Sequence, residues 1–104
     1  MVGEINMASY ISAGNITTAA TTPLRASTTA QELSRFKIAN NSANKVIIDI
    51  VYDGFVILPG VVLYPKGTNA NVCSYDLVID VGKVLAVVTT TTDALTYYIS
   101  GGAI

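Results

Sequence analysis

Between Lys45 and Asp53 (KVIIDIVYD) apolar and polar positions alternate. Val46, Ile48, Ile50 and Tyr52 fall on one side, and Lys45, Asp49 and Asp53 on the other. A period of two with β-branched residues predicts a strand half buried on a sheet. Asp53-Gly54 follows, then Phe55–Leu58. Asp-Gly between two apolar runs accepts the positive φ angles of a type I′ turn, so residues 45–58 are expected as a tight hairpin. Pro59-Gly60 is expected to break the run before Val61–Tyr64, and Pro65-Lys66-Gly67 has the chemistry of a type II turn. Val72–Asp80 alternates again, with Cys73, Tyr75, Leu77 and Ile79 on one face. Val81-Gly82-Lys83 closes it. Val84–Thr90 and Leu95–Ser100 read as the last two strands, and Gly101-Gly102 is expected to loosen the C-terminus.

The first half is less regular. Ser9–Ala13 and Arg35–Asn40 read as strands, the latter with Phe36 and Ile38 inward. Asn15–Thr29 is rich in Thr and Ala and contains Pro23, which suggests a short strand around Ile16–Thr18 and then a polar connection. Thr29-Ala-Gln-Glu32 fits a helix capping box, but a loop leading into a strand is the preferred reading. The count is seven or eight short strands at 8–12-residue spacing. The expected fold is all-β, a single antiparallel sandwich of Ig-like or jelly-roll type over residues 7–104, preceded by an arm over residues 1–6.

Composition narrows the function. The 104 residues include six basic and seven acidic side chains, no histidine and one cysteine. Charged residues make up 12% of the chain, against roughly 25% in soluble proteins, while the apolar share is an ordinary 51%. Without histidine there is no Ser-His-Asp or Cys-His catalysis and no imidazole metal ligand. Cys73 has no partner for an internal disulfide. A net charge of −1 without a basic cluster speaks against nucleic acid. No apolar run approaches the ~18 residues of a membrane helix, and MVGEINMASYISAG lacks the pattern of a signal peptide. The expectation is a cytosol-made, soluble protein that is not an enzyme, with no cofactor and no membrane partner.

Candidate chemistry is sparse. Asp49 with Asp53, and Asp76 with Asp80, would make a calcium site or a glycosidase pair if their strands were neighbours. Solvent-facing positions of half-buried strands are the preferred account. Alternation assigns Tyr52, Tyr75 and Tyr97 to the core and leaves Tyr98, with Tyr64 or Tyr10, facing outward as interface residues or a platform for sugar. Cys73 falls on an apolar face and is expected to be inert. The run Thr89–Thr92 followed by Asp93 suits a polar edge that packs against identical copies. Val61–Tyr64 and Val84–Val88 are apolar on both faces, although a small sandwich covers only one face of each sheet. A neighbouring copy would cover the other. The expected state is therefore a homo-oligomer, a trimer in which each sandwich shields its neighbour's flank.

The opening MASYISAGNITTAATT, the Tyr52-Asp53-Gly54 turn and the closing DLVIDVGKVLAVVTTTTDALTYYISG resemble short virion proteins of tailed bacteriophages. Gly82-Lys83 stands where that group has Gly-Asp. The resemblance implies a structural role on a virion assembled in the host cytoplasm. The preferred role is a head decoration (cement) protein bound to the major capsid protein, with a neck, tail or fibre component or a carbohydrate-binding module as alternatives. Interface candidates are Ile5 in the arm, Ile16 and Leu24 in the Asn15–Gln31 connection, and Tyr10, Tyr64 and Tyr98.

Overall fold

The computed structural model describes residues 9–16, 21–89 and 95–104. The arm with Ile5, the residues Thr17 and Thr18, and the Thr90–Asp93 stretch lie outside them. The described chain forms eight strands: β1 (Ser9–Ile16), β2 (Thr21–Ala26), β3 (Glu32–Asn40), β4 (Val46–Tyr52), β5 (Phe55–Leu63), β6 (Val72–Ile79), β7 (Val84–Thr89) and β8 (Leu95–Ala103). They make two antiparallel four-stranded sheets, ordered β1-β8-β3-β6 and β2-β7-β4-β5.

This order resolves the two topologies left open by the pattern in favour of the jelly roll. First pairs with last, second with seventh, third with sixth, and fourth with fifth. The chain is one long hairpin folded over at Asp53-Gly54, near its midpoint, and the β3–β8 and β4–β7 pairings roll it into two sheets. Asp53 (φ 52°) and Gly54 (φ 82°) take the positive angles expected of the type I′ turn.

The core lies between the sheets. Phe36, Ile38, Val46, Ile48, Ile50, Leu63, Ile79, Leu85, Val87, Leu95 and Ile99 are almost completely buried. Each such side chain contributes about 1.5–3 kcal/mol relative to exposure. Tyr52, Tyr75 and Tyr97 pack against this core, as alternation predicts.

Three local expectations are corrected and one is met. Pro59-Gly60 does not end a strand. β5 runs through it as a bulge opposite Asp49, whose Oδ1 accepts a hydrogen bond from the Gly60 N–H at 2.8 Å. The connection after Asn15 holds a full strand, β2, in which Pro23 sits at a register shift on the sheet's edge, where the missing N–H costs nothing. At 29–34 the preferred reading, a loop leading into a strand, is met: Glu32 starts β3 and is buried against Arg25, and the capping-box alternative does not form. Gly101-Gly102 is not loose either, since β8 continues to Ala103 between β1 and β3.

Candidate interaction surface

Register determines which side chains line each outer surface. On sheet β1-β8-β3-β6 the outward rows run Ser9–Gly102–Leu33–Val78, Ile11–Ser100–Arg35–Asp76, Ala13–Tyr98–Lys37–Ser74 and Asn15–Thr96–Ala39–Val72, with Leu33, Val72 and Val78 exposed. Charge therefore sits in the two middle rows, at Arg35 and Lys37 of β3 and Asp76 of the edge strand β6. Arg35 Nε donates to Asp76 Oδ1 at 3.0 Å, and that hydrogen bond raises the guanidinium pKa. Both partners are well exposed, so the pair contributes little to stability. Tyr98 lies between Ala13 and Lys37, 44% exposed, in a shallow depression that also touches Asn15 and Thr96.

The opposite sheet has a different outer surface. One row crosses all four strands as Val56–Val51–Ala86–Pro23, with Val51 and Ala86 buried, and two rows further along Ile47 pairs with Val62. Val56 is 51% exposed, Ile47 47% and Val62 36%, and Val84 is exposed near the turn end of the same face. Asp49 is the one charged residue among the outward positions of β4, β5 and β7, and its carboxylate is occupied by the Gly60 N–H. Lys83 and Asp53 lie at the turn end, joined at 3.0 Å, and this contact raises the Lys83 ammonium pKa. The middle row of the face runs Asp49–Val88–Thr21, and the aliphatic rows lie to either side of it.

The sequence candidates distribute as follows. Ile16 and Leu24 point into the core, 2% and 6% exposed, where no partner reaches them. Tyr10 is half buried and faces inward: its hydroxyl hydrogen-bonds Ser34 Oγ, and the Arg25 guanidinium lies 3.6 Å from its ring centre. Tyr64 and Tyr98 are exposed, and Ile5 lies outside the described residues.

The aspartates do not form the pairs considered for calcium or glycoside chemistry. β4 and β6 belong to different sheets, which takes Asp49 and Asp76 to opposite outer faces. Asp53 pairs with Lys83, Asp76 with Arg35, and Asp80 accepts from Gln31 Nε2. Among the described residues no group of three acidic or cysteine side chains converges. Burial pushes the Cys73 thiol pKa up, opposite to what a reactive thiolate needs.

The polar cluster missed in the sequence is internal. Arg25 donates to both oxygens of buried Glu32, at 2.9 and 2.6 Å, and these bonds raise the guanidinium pKa. Seven residues separate the pair, but only the β2-to-β3 crossing brings them together.

No protein-family model matches the chain, and no curated protein matches it. Among solved structures, the chain is similar to the native structure of a family 35 carbohydrate binding module from Clostridium thermocellum. The TM-score is 0.49, with 13% identity over 92% of each chain.

Proposed function

We propose that this chain is a self-associating structural subunit of a larger assembly. Carrying the sequence resemblance forward, that assembly is the head shell of a tailed bacteriophage, which the subunit decorates. The observation that carries the reading is the outer face of β2-β7-β4-β5, whose aliphatic rows bear one carboxylate, itself occupied, and no cation. A small monomer that leaves such a face to water exposes the kind of patch that marks an interaction site. A structural role also suits a chain whose acidic side chains, among the described residues, are taken up by ion pairs and hydrogen bonds. Jelly rolls serve both capsids and lectins, so the fold by itself favours neither use.

An antibody against the chain tests the virion assignment. On phage particles it should label the head shell. Label at the neck or tail supports the fibre or collar alternative, and unlabelled particles contradict the assignment.

Tyr98 supports a second reading. Its exposed ring beside Lys37, Asn15 and Thr96 is a possible contact for a sugar. A glycan array that binds the wild-type chain, with binding abolished by Tyr98→Ala, establishes this reading. An array without signal removes it.

A further inference from the structure

We infer that β6, an edge of sheet β1-β8-β3-β6, is a pairing edge on which a second copy docks its own β6 antiparallel, about a two-fold axis at Tyr75. The inference rests on the self-association proposed above and names the edge and its occupant.

The four sheet edges are not equivalent. In the other sheet, Pro23 of β2 and Pro59 of β5 lack the N–H that an added strand would use, and each lies at a register shift. Strand β1 has no charged residue to fix a register, and it adjoins residues outside the described set at both ends. Strand β6 has neither proline nor lysine, runs in unbroken register with β3, and is flanked by described residues on both sides. Its main-chain groups on the side away from β3 are complementary to a second antiparallel strand.

The side chains select a second copy of β6 as that strand. Read outward from Tyr75, the segment VCSYDLV (72–78) is symmetric in chemistry. Two-fold pairing about Tyr75 sets Val72 opposite the second copy's Val78, Cys73 opposite Leu77, and Ser74 opposite Asp76. The register with β3 extends these pairs into rows across the joint. The row Leu33–Val78 continues into Val72–Ala39 of the second copy, so the exposed Leu33, Val72 and Val78 form one aliphatic strip. The row Arg35–Asp76 continues into Ser74–Lys37 of the second copy. Asp76 then has its own Arg35 on one side and, across a small serine, a lysine on the other. Within its own chain Lys37 makes no ion pair among the described residues, so the pairing supplies the carboxylate it lacks. No like charges come directly opposite one another.

The inner side of the strand agrees. Cys73, Tyr75 and Leu77 are only half buried, beside an apolar slot that reaches Phe36 between β6 and β5. A second β6 alongside covers that row. Pairing over residues 72–78 adds about six to eight main-chain hydrogen bonds. The contact closes on itself as a dimer and leaves the outer face of β2-β7-β4-β5 to other members of the assembly.

Sedimentation equilibrium of the full chain, from micromolar to several hundred micromolar, tests this. The wild type is expected to pass from 10.9 kDa to twice that mass. Ser74→Asp sets a carboxylate opposite Asp76 twice in each dimer and should weaken it about tenfold. Ser74 is exposed and pairs with Lys37 in its own chain, so the variant is expected to keep the circular dichroism spectrum and the melting cooperativity. Adding Asp76→Ser to Ser74→Asp restores one carboxylate per facing pair and should recover most of the affinity. Val62→Lys, on the other sheet, should leave the dimer intact. A wild-type dimer indifferent to Ser74→Asp, a loss that the double variant does not recover, or a mass of three chains overturns the β6 pairing while self-association stands. A wild type that remains at 10.9 kDa throughout overturns self-association itself.

Discussion

Two glycines show how single residues set this fold. Gly101 lies in the inward row Tyr10–Gly101–Ser34, and the Tyr10 side chain crosses over it to reach Ser34. A Cβ at Gly101 would stand 2.2 Å from the backbone carbonyl oxygen of Leu33, 2.8 Å from Tyr10 Oη and 3.0 Å from Ser34 Cα, so the β3 backbone as well as the tyrosine requires glycine there. Gly14 pairs with Tyr97 in the same way, and a Cβ there would lie 3.0 Å from the ring. In each case a tyrosine fills the space that the glycine leaves, which pins the register of β1 against β8. Gly101→Ala is therefore expected to destabilise by about 1–3 kcal/mol, read as a lower denaturant midpoint with an unchanged slope. The Arg25–Glu32 pair has a larger effect. Removing Arg25 leaves a buried carboxylate without its partner, so Arg25→Ala should cost about 3 kcal/mol by chemical denaturation. Glu32→Gln in the same background should recover part of that loss.

Among the elements, the β4–β5 hairpin and the β3–β4 connection carry the topology. Asn40 is buried at the end of β3. Its amide donates to the carbonyls of Asn44, Leu63 and Tyr64, and its Oδ1 accepts from Ser42 N–H and Oγ–H. One side chain thus joins the end of β3 to the end of β5 in the other sheet. Asn40→Ala strands several of those groups, and a loss of about 2–3 kcal/mol is expected in thermal and denaturant melts. Pro59→Val tests the edge. Restoring an N–H to β5 should raise the tendency to aggregate at high concentration, visible as light scattering, with little change in stability. The later strands were legible because alternation and the Asp53-Gly54 turn are local signals, and β4, β6 and β7 lie where the pattern predicts them, whereas Pro59-Gly60 misled by looking like a turn inside β5. β2 was not, because TTPLRA carries a proline and pairs through a bulge, and its only deep anchor is Leu24. The sites were legible only in part. Register makes Tyr98 an outward residue, but the inward turn of Tyr10 depends on Gly101, ninety-one positions away in the sequence.

For the whole molecule, the low charge content is distributed unevenly. Both outer faces expose aliphatic side chains, but the β1-β8-β3-β6 sheet carries Arg35, Lys37 and Asp76 among them, whereas the outward positions of β4, β5 and β7 carry Asp49 alone. Cations therefore favour the first face for a polar ligand, and their absence among those positions favours the second for contact with protein. Composition alone indicated that some surface is covered. It could not say which, because that depends on the strand order that rolls the hairpin. Methyl NMR spectra of the full chain, recorded over a range of concentrations, test this most directly. The account predicts that Val72 and Val78 methyl signals move as concentration rises while those of Ile11, Ile47, Val56 and Val62 stay fixed. Spectra that do not change with concentration, or shifts confined to the second group, would contradict it.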